Sequence, residues 1–162
     1  MKYKKPKFWD KTNISVWAIL LFPFSIFYLF LFWIYKFLLS FKNNNKSEIP
    51  IICIGNIYIG GTGKTPLAKE IFGIVKSLGK KPAFVKKKYK YLIDENRMLE
   101  ETGKTFICND RNSGIIHCIK NDYNVAILDD GFQDFTIKPN FSILCFNSKQ
   151  LIGNGLIIPS GP

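Results

Sequence analysis

The sequence predicts an α/β fold, a parallel sheet flanked by helices and preceded by an amino-terminal hydrophobic helix that anchors to membranes. Three observations carry this reading. Apolar runs of strand length alternate with helical periodicity at intervals of about 30 residues, the spacing of parallel strand–helix–strand units. One such run opens directly into a glycine-rich loop, Gly60-Gly61-Thr62-Gly63-Lys64-Thr65. Thr12 to Tyr35 holds no charged residue and is dominated by Phe, Leu, Ile and Trp.

The uncharged stretch is long enough to span a bilayer as a helix, for which about 20 apolar residues suffice. It exceeds a signal-peptide core and lacks a small-residue cleavage site before the next polar stretch. Lys2, Lys4, Lys5, Lys7 and Lys11 precede it, and Lys36, Lys42 and Lys46 follow. Lysine-rich flanks prefer the cytoplasmic side, and one crossing cannot put both there. Pro23 removes a helical hydrogen bond and favours a break or kink. The favoured reading is a bent, interfacial anchor with aromatic rings at headgroup depth and lysines on anionic lipid; a single span is the alternative.

Residues 42–48 are polar and read as a linker. Ile49–Ile54 is a continuous apolar run, as in a buried parallel strand. Pro66 falls in the first turn of the helix that follows the loop, where proline is tolerated. Leu67, Ile71, Ile74, Val75 and Leu78 repeat at helical spacing, and Gly79 supplies a stop. Pro82–Val85 is a second strand, Glu100–Gly103 a helix end and turn, and Thr105–Cys108 a third strand. Gly114–Lys120 reads as a helix, Val125–Leu128 as a strand ending in Asp129-Asp130-Gly131, and Ser142–Phe146 as one more strand.

The loop states a chemistry. Glycines at 60, 61 and 63 let the backbone approach an anion closely, with N–H groups turned to phosphate oxygens. Lys64 reaches the outer phosphates and the Thr65 hydroxyl suits Mg²⁺. The strict pattern wants glycine where Tyr58 stands, so the loop is a variant of the P-loop. Tyr58, Ile59, Gly60, Gly61, Thr62, Gly63, Lys64 and Thr65 form the candidate nucleotide-binding set. Asp129 and Asp130 follow four apolar residues, which places carboxylates at the carboxyl end of a buried strand, the edge where open α/β sheets bind ligands. Beside a phosphate loop they are candidate Mg²⁺ ligands with Thr65. Asp-Gly after a strand is also ordinary turn chemistry.

Net charge is +11, from 23 basic and 12 acidic residues, which favours anionic partners. The four cysteines are dispersed without a C-x-x-C pair, which argues against a zinc site or a disulfide scaffold and for a reduced, cytosolic setting. His117 reads as an ordinary helix residue.

These residues resemble the tetraacyldisaccharide 4′-kinase family, the lipid A kinases of Gram-negative bacteria. Pro6-Lys7-Phe8-Trp9 before a hydrophobic segment is similar to the family's membrane-binding start. Gly55-Asn56-Ile57 leading into Gly60–Pro66 is similar to its phosphate loop, and Asp129-Asp130-Gly131-Phe132-Gln133 to its second motif. Gly153-Asn154-Gly155 with Pro159-Ser160-Gly161-Pro162 is similar to a third. The resemblance implies a P-loop kinase-like domain over 49–162, after a membrane-associated segment at 1–41. It implies ATP and Mg²⁺ as cofactors, and transfer of the γ-phosphate to the 4′-hydroxyl of an anionic lipid disaccharide 1-phosphate, giving lipid IVA. The implied place is the cytoplasmic face of the bacterial inner membrane, held peripherally on its phospholipid surface. By resemblance, Asp94 and Glu95 form an acidic pair at the acceptor hydroxyl, with Asp94 as candidate base and Lys64 as phosphate-handling residue.

Departures from the family pattern are also visible. Lys87-Lys88-Tyr89-Lys90 stands where Arg-Gly-Tyr-Gly is usual, which exchanges a planar fork for a point charge. Asp134 stands where histidine is usual. The family continues past the position of Pro162 with an Arg-Glu segment and a second lobe carrying a histidine partner for the acidic base. The chain therefore reads as the amino-terminal portion, expected to bind nucleotide without full activity. The alternative is a membrane-associated ATPase switch of the partitioning or septum-site type, against which Ile59 speaks, since that class has lysine there. No Asn-Lys-x-Asp base-reading motif marks a GTPase. The cluster at 86–91 reads as a solvated, substrate-facing loop, and no nucleic-acid partner is expected.

Overall fold

The structure is a computed structural model that describes residues 6–10, 13–40, 47–56, 63–89, 93–148 and 151–162. It falls into two compact units. The first holds the described residues of 1–42 and 146–162, and the second those of 43–56 and 63–145. This division differs from a linear boundary at 42–48, because the last stretch of chain groups with the hydrophobic amino terminus.

In the first unit, a short 3-10 turn, Lys7–Asp10, precedes helix α1, Val16–Ser40. Pro23 lies inside α1, which continues through it, so of the break or kink expected there the break does not occur. The window Val16–Leu39 has a mean hydropathy of 2.2 and is long and apolar enough to cross a membrane. Only Ala18 and Ser25 of α1 are buried among its described side chains. Ser25 Oγ lies 2.8 Å from the Ile157 carbonyl oxygen and 2.8 Å from Ser160 Oγ, and the Ser160 N–H donates to Ser25 Oγ at 3.2 Å. Trp9 Nε1 donates to the Pro159 carbonyl at 3.1 Å, and the Asn154 N–H to the Trp9 carbonyl at 3.0 Å.

The second unit is a three-layer α/β/α sandwich. Its strands are β1 (Ile51–Asn56), β2 (Pro82–Lys87), β3 (Thr105–Cys108), β4 (Val125–Asp129) and β5 (Phe141–Cys145). All pair in parallel in the order β3-β2-β4-β1-β5. The helices are α2 (Lys64–Ser77), α3 (Ile93–Glu100) and α4 (Arg111–Lys120). Helix α2 starts three residues earlier than its apolar periodicity and contains Pro66 in its first turn. Every strand expected from the sequence is present, with ends shifted by a residue or two.

Strand parity divides the core. Ile51, Cys53, Ala83, Val85, Ala126 and Leu128 meet Ile115 and Cys118 of α4. Ile54, Phe84, Val125 and Ile127 meet Ala68, Phe72 and Val75 of α2 and Leu99 of α3. Strands buried on both faces need apolar residues at consecutive positions, which is why they read as continuous runs. The four cysteines are free thiols, three of them buried. His117 stacks on Phe106 at 6.0 Å, a packing role.

Candidate active site

The strand that feeds the phosphate loop, β1, lies directly beside the strand that ends in Asp129, β4, with Ile54 opposite Asp129. In this strand order, β1 leads through α2 to β2 on one side while β5 flanks it on the other. Such a reversal leaves a crevice at the carboxyl ends of the strands, where ligands bind.

Of the candidate nucleotide set, Tyr58, Ile59, Gly60, Gly61 and Thr62 lie outside the described residues. Gly63 caps α2 in the left-handed conformation, φ 80°, which glycine adopts without steric cost. No side chain caps this helix start, which leaves its first N–H groups suited to an anion. Lys64 and Thr65 are the first two residues of α2, and Thr65 is buried. The Lys64 ammonium donates to Asn56 Oδ1 at 2.7 Å and lies 3.1 Å from Asp130 Oδ1. Asn56 ends β1, so the lysine reaches back over the strand that precedes its own loop.

The Asp129-Asp130-Gly131 turn folds onto β1. Asp130 takes a positive φ of 62°, and its N–H donates to the Ile54 carbonyl at 2.9 Å. Gly55 permits this close approach, since a Cβ there would come within 2.4 Å of the Phe132 ring. Arg111, at the start of α4 and only 5% exposed, fastens the turn from the other face. Its guanidinium donates to the Asp130 carbonyl, and to Asp134 Oδ2 at 3.2 Å. Asp134, a departure noted in the sequence, is thus the carboxylate partner of a buried arginine.

A second group forms on the α2/α3 side of the sheet. Lys86 and Asp129 follow the paired Val85 and Leu128 on neighbouring strands. Each side chain is 1% exposed, and Lys86 Nζ lies 2.7 Å from Asp129 Oδ2. The same ammonium is 2.7 Å from Glu95 Oε2 in the first turn of α3. Burial works against the Lys86 charge, but the Asp129 carboxylate and hydrogen bonds with Asp129 and Glu95 outweigh it and raise its pKa above the ordinary lysine value. Asp129 Oδ1 is buried without a partner in the described structure.

Of the site residues expected from sequence, Lys64 and Asp130 come together in one group, and Asp129 and Glu95 in another. Asp94 sits in the acidic first turn of α3, and no ion pair or hydrogen bond holds its carboxylate among the described residues. Asp129 Oδ1, a buried carboxylate oxygen without a partner among the described residues, is the kind of hard oxygen donor that Mg²⁺ takes. The expected solvated loop at 86–91 is corrected at its start: Lys86 and Lys87 end β2, and Lys86 is buried against carboxylates. Asn56 and Arg111 are site residues that the sequence does not single out. Lys86 carried one usable signal, a charge at the carboxyl end of an apolar strand with the parity of buried Phe84. Arg111 carried none, because its partners lie far along the chain.

A family model described as tetraacyldisaccharide-1-P 4′-kinase matches residues 17–162. The chain belongs to the tetraacyldisaccharide-1-P 4′-kinase family. The tetraacyldisaccharide 4′-kinase of Pelagibacter ubique is 46% identical over 165 residues, covering 100% of this chain and 50% of that protein. The enzyme of the same name from Sinorhizobium medicae is 32% identical over 178 residues, covering 97% of this chain and 49% of its own length. The chain therefore spans about half the length of the curated relatives it matches. Among solved structures, LpxK from Aquifex aeolicus in complex with ATP shares the fold, with a TM-score of 0.70 at 23% identity. The match covers 89% of this chain and 53% of that one. Membership in the 4′-kinase family agrees with the P-loop architecture and the acidic end of β4.

Proposed function

We propose that this chain supplies the ATP-binding half of a kinase that phosphorylates the 4′-hydroxyl of a tetraacyldisaccharide 1-phosphate, giving lipid IVA. One observation carries the reading: Lys64, directly after the glycine loop, stands at the end of β1 beside Asp130, while Asp129 ends the adjacent strand. That pairing of a phosphate-reaching cation with strand-end carboxylates is what phosphoryl transfer requires, since the reaction depends on positioning and charge neutralisation more than on covalent chemistry by the protein.

In this reading the uncapped start of α2 and the Lys64 ammonium hold the outer phosphates of ATP, and Lys64 exchanges its Asp130 contact for phosphate oxygen. Thr65, Asp129 and Asp130 would hold Mg²⁺, which supplies neutralisation of charge on the β- and γ-phosphates when bound. Asp94 orients the acceptor hydroxyl and takes its proton. The departing Lys87–Lys90 segment adds positive charge for an anionic substrate.

The membrane is met through α1, which lies at the cytoplasmic surface of the inner membrane. The mid-helix position of Ser25 supports an interfacial seat over a full crossing. Its partners at 157–160 carry backbone polar groups, and a spanning α1 would draw those groups into hydrocarbon, where unsatisfied ones are costly. Protease treatment of sealed vesicles from the cytosolic side tests this: cleavage within the first dozen residues is expected, and protection would sink the interfacial seat.

The kinase reading is tested at Lys64. In protein of the length of its relatives, Lys64→Ala should abolish transfer from ATP to the lipid disaccharide while leaving sedimentation with anionic vesicles intact. Normal transfer by that variant would refute the role given to the loop.

A further inference from the structure

Lys86 is buried at the end of β2, where an unpaired cation would be prohibitively unstable. It is not unpaired: a single ammonium joins Asp129 of β4 to Glu95 of α3, each contact 2.7 Å long. The three residues come from three separate elements, and no other described group bridges the first turn of α3 to β4.

Helix α3 has eight residues, too few to hold together without tertiary support. Its carboxyl-terminal half is docked by Leu99, which is fully buried against the α2 side of the core. Its first turn, with Asp94 and Glu95, contributes no buried apolar residue among its described side chains. The Glu95 contact with Lys86 ties this turn to the sheet.

We propose that Lys86 is a positioning residue that fastens the Asp94-Glu95 turn to the metal-side aspartate of β4. This rests on the kinase reading above and divides the labour of four side chains. Glu95 is an anchor, its carboxylate committed to Lys86. Asp94, one residue earlier, is thereby held as the carboxylate that meets the acceptor hydroxyl. On β4, Lys86 occupies Asp129 Oδ2 and leaves Oδ1 as the oxygen offered to the cation that accompanies nucleotide. A change at Asp129 is carried through one ammonium to α3, so nucleotide with its cation tightens the acceptor side.

Hydrogen exchange and nucleotide titration on the intact chain test this, with the wild type, Lys86→Met and Glu95→Gln. Both variants should speed exchange of the amides at 94–98 by about tenfold, the loss of one charge-assisted hydrogen bond, while the strand amides keep their protection. Lys86→Met should bind ATP in EDTA as the wild type does but lose most of the affinity gained on adding Mg²⁺. The wild type should show added protection at 94–98 with ATP and Mg²⁺, and Lys86→Met should not. Unchanged exchange in α3 together with an intact Mg²⁺ gain in folded Lys86→Met overturns the proposal. So does a rise in exchange spread evenly over the sheet, which marks a merely structural residue. If Lys86→Met does not fold, Glu95→Gln severs the more exposed arm alone and decides by the exchange at 94–98. A wild type that binds no ATP overturns the kinase reading, while the exchange data still judge the tie.

Discussion

Lys64 and Asp130 form an ion pair of 3.1 Å at the head of the sheet, with the lysine also donating to Asn56 at 2.7 Å. The carboxylate occupies the cation that a phosphate would need. Both side chains are partly exposed, at 19% and 39%, so the pair is screened and easily exchanged.

Asp130→Asn should therefore improve ATP binding in EDTA by only a few-fold, in keeping with a surface pair worth about 0.2–1 kcal/mol. Under the proposed metal role, the same variant should lose part of the Mg²⁺-dependent gain. Titration with a fluorescent ATP analogue, with and without Mg²⁺, separates the two effects. An equal loss in both conditions would count against Asp130 as a competitor for Lys64.

Two helical glycines should respond oppositely to alanine. At Gly114 in α4, a Cβ would come within 2.5 Å of Val85 Cγ1, a fully buried, stiff side chain. Overpacking costs about 1–3 kcal/mol, which outweighs the roughly 1 kcal/mol gained in helix propensity. Gly114→Ala should destabilise. Gly73 in α2 has nothing within 4 Å of its Cβ position, so Gly73→Ala should stabilise by about 0.5–1 kcal/mol. Urea denaturation of both variants checks the pair.

Stability should fall on the alkaline side. Burial pushes the Cys53 thiol up to about 11 and the Cys118 thiol up to about 12 from the ordinary value of 9.0. Between the unfolded and folded values the native state binds more protons than the unfolded chain, so stability is lost as pH rises through that window. Lys86 adds to the loss at its upper end, since its folded pKa is raised and the stability it contributes is present below the unfolded lysine value. On the acid side, Asp110 caps α4 by accepting from Ser113 Oγ at 2.6 Å and the Ser113 N–H at 2.8 Å, which lowers its pKa. That contribution is present above the unfolded aspartate value and disappears as pH falls through the folded one. Urea midpoints measured from acid to pH 12 should describe a plateau near neutrality; Cys118→Ala should flatten the alkaline limb.

Thiol reactivity should be ordered by depth. Cys53, Cys118 and Cys145 are buried and Cys108 is half-buried on the edge strand β3. The thiolate is the nucleophile, and burial raises the pKa of all four. A chromogenic aromatic disulfide at pH 8 should react first with Cys108, and with the other three only on unfolding. Rapid reaction of more than one thiol in the native protein would contradict this packing.

How much of the site was legible follows from how local its signals are. Gly63-Lys64-Thr65 announced itself because a loop that wraps phosphate is built from consecutive residues. Asp129 was legible because a carboxylate after four apolar residues marks a strand end. Pro23 signals a break or kink through its missing N–H, and α1 runs on through it without a break. Asn56 as a Lys64 partner, Glu95 as an anchor and Arg111 behind the Asp130 turn were not legible. Each depends on a neighbour that no short-range pattern names.

The sequence by itself determined the strands, the helices and the apolar amino terminus, because periodicity and glycine act within a few residues. Only the tertiary structure decided that β4 lies between β1 and β2, which is what brings Lys86 and Asp129 together across 43 residues of chain. It also decided that Ser25 is hydrogen-bonded to residues 157–160. Strand order and side-chain pairing are set by the burial and charge satisfaction of the whole assembly, and those energies have no local imprint.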